Sequence, residues 1–201
     1  MHVVAAPDKF RGTASALEVA TAVERAVAEH GGTTAVLPMA DGGEGTLEAL
    51  GGPNQTSLVT GPLGGLIEAP WQLTGTTAII EMAKASGLIT IGGPEFNEVL
   101  NATSAGTGEL ILSAAEHGAT RIIVGLGGSA STDGGLGAIE AMGSPARYRG
   151  IEILVACDVN TRFVDSAKIF SPQKGATKAE VEMLERRLKR LVQIYEEKFG
   201  I

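Results

Sequence analysis

Short apolar runs recur along the chain and predict a β-sheet. Each run is bounded by glycine, proline or polar residues and is too short for a helix, which favours a buried strand. The clearest is Ile122-Ile123-Val124, directly ahead of a long glycine-rich loop. The predicted strands cover residues 2–6, 34–37, 76–82, 122–124 and 151–157.

Helical patterns separate these strands. Ser15-x-x-Glu18 and Thr177-x-x-Glu180 are capping boxes, which open helices predicted to reach about residue 30 and about residue 198. The apolar stripe of the last helix suits packing on the sheet or pairing with another chain as a short coiled coil. Shorter helices are predicted at 47–50, 109–117 and 136–142. Strands that alternate with helices predict an α/β fold.

The most informative loop covers residues 125–135. Its glycines allow the backbone to approach a ligand closely, and the helix that follows directs N–H groups at an anion. Ser129, Ser131 and Thr132 add hydroxyl donors, and Asp133 adds a carboxylate that could orient a metal or accept a proton. The pattern is neither GxGxxG nor a Walker A loop. We expect a ligand loop, with a plain tight connection as the alternative.

Two charged turns follow the first two strands, at the strand ends where open α/β sheets bind ligands. In the first, Asp8, Lys9 and Arg11 favour a clamp for phosphate or carboxylate, with a solvated turn as the alternative. In the second, Asp41 and Glu44 stand in a glycine loop. Their carboxylates suit Mg²⁺ or hydrogen bonds to a polyhydroxy substrate, although acidic residues are also favoured at the start of a helix.

Other polar positions are candidates with open alternatives. Ser104 and Thr107 precede the helix at 109–117, where they could bind an anion or cap the helix. Asp158 follows the last strand and could be a ligand or a turn-forming residue. Glu81 lies in an otherwise apolar strand, where a structural ion pair and a site carboxylate fit equally well.

Composition narrows the classes of partner. A formal charge of −7 and a pI near 5.0 argue against nucleic acid or an anionic membrane surface as the main partner. Cys157 is the only cysteine, which excludes an internal disulfide and fits a reducing cytoplasm; its apolar run predicts that it is buried. Trp71 is predicted to lie in the core. We expect no membrane span and no signal peptide.

Several motifs are highly specific when taken together, in their order and spacing. They are APDKFRG at 6–12, PMADGGEGT at 38–46, NATSAGTGELI at 101–111, RIIVGLGGSASTDGGLGA at 121–138, ACDV at 156–159 and FSPQKGAT at 170–177. The chain thereby resembles the glycerate kinases of the two-domain α/β type. The resemblance implies a Rossmann-like parallel sheet contributed by both chain ends, a flavodoxin-like second domain, and a site in the cleft between them.

The resemblance also implies ATP-dependent phosphorylation of D-glycerate at its 2-hydroxyl with Mg²⁺. Lys174 would offset charge on the transferred phosphoryl group. The implied partners are small molecules. The implied site comprises Asp41, Asp133 and Lys174 as catalytic residues, Asp8, Lys9, Arg11, Glu44, Ser104 and Thr107 around the substrate, Gly127, Gly128, Ser129, Thr132 and Gly134 around phosphate, and Asp158 at the metal.

The chain departs from the family pattern in its length. A glycine/alanine-rich segment and a later stretch resembling VITGEG…D.QT..GK, which complete the family's first domain, are absent. Residues 143–150 stand where the family carries a longer connection. We expect the N-terminal part of the Rossmann-like domain at 1–52, the middle domain at 53–177 and an amphipathic helix at 178–201. Uncovered apolar faces predict a homo-oligomer, with a fragment or a degenerate paralogue of the family as the alternatives. The alternative to a kinase is a non-catalytic module that binds a small carboxylate or phosphate, or forms half of an assembly.

Overall fold

The computed structural model describes residues 1–10 and 13–200. Strands and helices alternate along much of this part of the chain, as the apolar pattern predicts. The strands are β1 His2–Ala5, β2 Thr33–Val36, β3 Gln55–Thr60, β4 Leu66–Thr74, β5 Thr77–Glu81, β6 Arg121–Gly125 and β7 Glu152–Ala156. The α-helices are α1 Ala16–Glu29, α2 Thr46–Ala49, α3 Ala83–Ser86, α4 Ala105–Glu116, α5 Leu136–Met142, α6 Ser166–Phe170 and α7 Lys178–Phe199.

The N-terminal unit is one β-α-β crossover. β1 and β2 pair in parallel, and α1 connects them. The predicted capping box opens α1, because the Ser15 hydroxyl accepts the Glu18 N–H while the Glu18 carboxylate accepts the Ser15 N–H. Ala20 and Val27 of α1 are buried, but Val4 is 58% exposed, so the small sheet is covered incompletely.

The second unit is built on a five-stranded sheet in the order β3-β4-β5-β6-β7. β5, β6 and β7 run parallel, whereas β4 is antiparallel to both β3 and β5. Trp71, Leu110 and Ile122 lie fully buried where α4 packs on the sheet. The predicted α/β class and the core position of Trp71 are therefore confirmed, and the larger sheet is mixed.

The hairpin of β3 and β4 is an element that the sequence pattern did not predict. Gly61 and Gly65 close the turn, since the Gly61 N–H donates to the Gly65 carbonyl over 2.7 Å. β3 is an edge strand in which only Val59 is buried. The strand has little apolar surface to bury, so its side chains are mostly polar and partly exposed. Its sequence is therefore similar to that of a loop.

The C-terminal helix α7 packs on its own chain. Its buried stripe of Leu184, Leu188 and Leu191 contacts α6 and Leu136, so the stripe lies against helices rather than directly on the sheet. The capping box at Thr177 and Glu180 is present as predicted. Among residues 1–10 and 13–200, no helix has the length and apolar character that crossing a membrane requires.

The strand β7 corrects the prediction of a buried element. Leu154 and Val155, which alternate between the two faces of the sheet, are 41% and 57% exposed. Cys157, predicted to be buried, is exposed as well. These side chains are exposed because β7 is the edge of the sheet, and no described strand pairs with its outer side.

Candidate functional site

Lys9 and Asp41 form the charged centre of the N-terminal turns. Lys9 Nζ lies 3.1 Å from Asp41 Oδ1 and 3.9 Å from Asp8 Oδ1, and the Lys9 side chain is only 16% exposed. Asp41 Oδ1 also accepts the Gly43 N–H over 2.8 Å. The structure thus brings together three of the predicted residues. Arg11, the third member of the predicted clamp, lies outside the described residues.

These contacts keep Asp41 ionised. Partial burial by itself would raise the pKa of Asp41, but the hydrogen bonds from Gly43 and Lys9 and the charge of Lys9 outweigh it and leave the pKa below its usual value. Lys9 and Asp41 therefore form an ion pair in which an incoming anion could compete with a carboxylate for the ammonium group.

Glycines join the Asp41 loop to the 125–135 loop. The Gly127 N–H donates to the Gly42 carbonyl over 2.9 Å. A Cβ on Gly127 would lie 2.4 Å from the Gly43 Cα, and one on Gly125 would lie 2.5 Å from the Gly42 oxygen. No side chain fits at these contacts, so glycine is required by the close approach of two backbones. The loops that follow β2 and β6 consequently meet.

Lys174 holds the 125–135 loop from the other side. Its Nζ donates to Ser129 Oγ over 2.8 Å and to the Ser131 carbonyl, and the residue is only 8% exposed. Burial lowers the pKa of Lys174 to about 8, although the nearby Asp133 acts in the opposite direction. No carboxylate of the described residues lies within 4 Å of this ammonium group. An anion bound beside the loop would meet a cation whose charge is poorly compensated.

Asp133 is fully engaged within the protein. Its Oδ2 accepts hydrogen bonds from the Ser104 N–H at 2.8 Å, the Ser104 hydroxyl at 2.7 Å and the Gly137 N–H at 3.2 Å. Its Oδ1 accepts the Gly135 N–H at 3.1 Å. Ser104 in turn accepts the Ala138 N–H. Asp133 and Ser104 therefore accept N–H groups at the start of α5, and Asp133 also binds the Ser104 N–H directly before α4, which locks the two predicted loops together. A catalytic role for Asp133 stays a prediction.

Thr107 also has a structural partner. It is buried, and both its N–H and its hydroxyl donate to Ser86 Oγ, over 3.2 and 2.9 Å. Direct contact of Ser104 or Thr107 with a substrate would require these internal hydrogen bonds to be exchanged. Their predicted substrate role is untested, and their observed role is to fix α4 beneath the loop.

The remaining predicted phosphate residues differ in their surroundings. Gly128 adopts a φ of 75° and its carbonyl accepts the Leu88 N–H. Thr132 Oγ1 is buried and has no hydrogen-bond partner within the described chain. A Cβ on Gly134 would lie 2.7 Å from the Phe163 ring, so that glycine packs against the C-terminal helices. Among the predicted phosphate-binding residues that the structure describes, Thr132 is thus the one whose buried hydroxyl has no hydrogen-bond partner within the described chain.

Two of the predicted metal-binding residues lie at the surface. Glu44 and Asp158 are exposed, and across residues 1–10 and 13–200 no group of three or more His, Cys, Asp or Glu side chains could hold a metal ion. Mg²⁺ in kinases is commonly held by one or two carboxylates together with substrate phosphates. The carboxylates of Asp41 and Glu44, which stand in one loop, fit such an ion.

A cavity of about 580 Å³ lies beside the glycine loop. Its polar lining includes Ser129, Asp133 and Lys174. The remaining wall is mainly apolar, with side chains such as Ile153 and Val155 from β7. This arrangement can accept a molecule with an anionic group at the loop and a less polar body along the sheet.

Asn97 is a residue that the sequence reasoning missed. Its side-chain amide donates to the Ala130 carbonyl at 3.1 Å and to the Lys174 carbonyl at 2.9 Å, so it joins the glycine loop to the turn that carries Lys174. Asn97 and Lys174 are 77 positions apart. No local sequence signal could have paired them.

Comparison with known proteins agrees with this architecture. Glycerate 2-kinase of Escherichia coli is 39% identical over 233 aligned positions, which cover 96% of this chain and 61% of the relative. Glycerate kinase of Bacillus subtilis is 36% identical, over 100% of this chain and 62% of the relative. A crystal structure provisionally designated glycerate kinase 2, from Salmonella typhimurium LT2, superposes with a TM-score of 0.86 at 36% identity and covers 100% of this chain.

The chain spans 61–64% of the length of these relatives. The alignment to the Escherichia coli protein is also longer than the 201 residues of the chain, so that relative carries positions that have no counterpart here. The model of the glycerate kinase family matches residues 3–147 and 144–201, two segments that meet where the shortened connection was predicted. With both segments matched and the loops assembled as described, the chain belongs to the glycerate kinase family.

Proposed function

We propose that this protein is a kinase that transfers a phosphoryl group from ATP to the 2-hydroxyl of D-glycerate, with Mg²⁺. The observation that carries the proposal is the meeting of two loops. The Lys9–Asp41 turn contacts the 125–135 loop through Gly42 and Gly127, and Lys174 holds the far side of that loop. Phosphoryl transfer depends chiefly on positioning and on stabilising negative charge, and these groups supply both.

The proposed division of roles follows the charges. Lys9 binds the carboxylate of glycerate, and Asp41, held ionised, orients a hydroxyl of the substrate or a metal ion. The backbone of the 125–135 loop and the Lys174 ammonium bind phosphate. Bound Mg²⁺ would neutralise phosphate charge, with Asp41 and Glu44 as its protein ligands. Asp133 keeps the loop in place through its bonds to Ser104.

We propose the class of partner, the cellular compartment and the oligomeric state from composition and from exposed side chains. The charge of −7 favours small-molecule substrates over nucleic acid or anionic membranes, and the lone cysteine is compatible with the cytoplasm. The exposed apolar side chains on both sides of β7, Leu154 and Val155, favour a homo-oligomer that covers them.

A second candidate function is a non-catalytic module that binds a small carboxylate or phosphate. One observation favours it: the faces of the two sheets are open, with Val4 and Leu154 exposed. On this hypothesis Lys9 and Lys174 still bind anions, but no phosphoryl group is transferred.

A coupled ADP-release assay with D-glycerate and Mg-ATP separates the two functions. We expect turnover that falls at least about tenfold in Lys174→Met and in Asp41→Asn. Lys168→Met and Asp165→Asn, which change the same residue types elsewhere, should behave like the unaltered protein. Calorimetry with D-glycerate and with ATP accompanies the assay. Binding without turnover would establish the module and remove the kinase.

A further inference from the structure

Glu81 is a buried carboxylate with an unusual set of partners. It ends β5 and is 0% exposed. Its Oε2 accepts the Gly45 N–H at 3.2 Å and the Leu47 N–H at 3.0 Å, both from the loop and helix that follow Asp41. Its Oε1 is buried without a hydrogen-bond partner in the described part of the chain. A carboxylate is costly to bury, so its presence here requires an explanation beyond filling space.

Glu81 lies at the junction between the N-terminal unit and the second unit. Glu81 pairs in register with Gly125 at the end of β6, and the Met82 N–H donates to the Gly125 carbonyl. Gly125 in turn packs against the Gly42 oxygen. The carboxylate therefore lies where the larger sheet, the glycine loop and the Asp41 loop come together.

The segment that follows Glu81 holds the other loop. The Leu88 N–H donates to the Gly128 carbonyl over 3.0 Å, and the Ala130 N–H donates to the Ser86 carbonyl over 2.9 Å. The segment from Glu81 to Leu88 thus contacts the Asp41 loop at its start and the glycine loop at its end. A segment that contacts both loops can set the spacing between them.

We propose that Glu81 is a positioning residue that anchors the Asp41–Gly45 loop to the sheet and so sets the distance between that loop and the 125–135 loop. Its importance for turnover rests on the proposed function, but the anchoring itself does not. Two backbone N–H groups at the start of α2 donate to one buried carboxylate oxygen, so removal of that oxygen would leave two donors without their partner.

The charged residues beside Glu81 do not share its hydrogen bonds to the Gly45 and Leu47 amides. Burial raises the pKa of Glu81, while the Leu47 amide and the Lys84 charge lower it and Glu48 raises it further. Lys84 Nζ lies 3.3 Å from Glu48 Oε1, and Glu48 is half exposed. The Lys84–Glu48 pair is therefore a matched test site, since it lies beside Glu81 but makes neither of the two amide bonds.

Amide hydrogen exchange followed by NMR, without substrates, tests the anchor. In Glu81→Leu we expect the Gly45 and Leu47 amides to exchange at least about tenfold faster, while core amides such as Ile122 keep their rates. Glu81→Gln retains one acceptor oxygen and should give a smaller increase. Glu48→Gln should change these rates less than about twofold. Unchanged exchange at Gly45 and Leu47 in both Glu81 variants would overturn the proposal.

Kinetics then distinguishes positioning from general stability. We expect Glu81→Gln to lower kcat at least about threefold with little change in the KM for ATP, because the glycine loop keeps its bonds to Lys174. An equal rise in the KM for ATP would contradict the assignment. If Glu81→Leu does not fold, the Gln variant supplies both readouts. If the unaltered protein has no turnover, the proposed function fails, and the exchange rates still decide whether Glu81 anchors the loop.

Discussion

The buried Lys174 leads to a quantitative prediction about stability and pH. Its pKa falls from 10.5 to about 8 because the folded protein withdraws the ammonium group from water. Each pKa unit corresponds to about 1.4 kcal/mol, so the charged form is disfavoured in the folded state by about 3 kcal/mol. Between pH 8 and pH 10.5 the unfolded chain holds a proton on Lys174 that the folded protein has released. The contribution of Lys174 to the free energy of unfolding therefore rises with pH across this window.

The assay is urea unfolding of the unaltered protein and of Lys174→Met at pH 7 and pH 10. Methionine has a similar shape and no charge, so the variant lacks the penalty at both pH values. We expect the unaltered protein to gain about 2 kcal/mol relative to the variant between the two pH values, which is most of the penalty. The exposed Lys168 provides the control: Lys168→Met should follow the unaltered protein.

One result would refute this reasoning. If the unaltered protein and Lys174→Met show the same change in unfolding free energy between pH 7 and pH 10, the ammonium group is not desolvated.

A related expectation concerns ligands. Phosphate bound beside Lys174 would restore the charged form, so binding near pH 8.5 should take up protons, which calorimetry in buffers of different ionisation enthalpy detects.

Other predictions follow from the packing. Gly127→Ala places a Cβ 2.4 Å from the Gly43 Cα and should destabilise the fold by about 2 kcal/mol, whereas Gly65→Ala, with no atom within 4 Å of its Cβ, should not; equal unfolding midpoints would contradict this. Asp133→Ala removes the acceptor of four hydrogen bonds and should cost about 3 kcal/mol in urea unfolding; a loss below about 1 kcal/mol would show that the loops close without it. Leu154→Glu places a charge on the exposed side of β7 and should shift the mass measured by light scattering from oligomer to monomer; a monomeric unaltered protein would remove the oligomer proposal.

Much of the local structure follows from local sequence signals. Both capping boxes are where the S/T-x-x-E spacing places them, since a cap involves residues three positions apart. The strands β5 and β6 follow from apolar runs that are buried on both faces. The edge strands were harder to predict. β3 is polar and was missed, and β7 is apolar yet exposed, because edge position rather than composition decides how much of a strand is covered.

For the candidate site, the sequence alone determined which residue types stand at the strand ends, and the glycine and hydroxyl pattern identified the 125–135 loop as the place to look. Only the tertiary structure decided what each side chain does. Asp133 binds N–H groups at the start of α5 and the Ser104 N–H before α4, and Glu81 binds amides 34 and 36 positions away along the chain. Lys174 becomes a buried cation because distant segments enclose it. Burial and hydrogen-bond partners are properties of segments that meet in space, and spacing along the chain does not specify which segments meet.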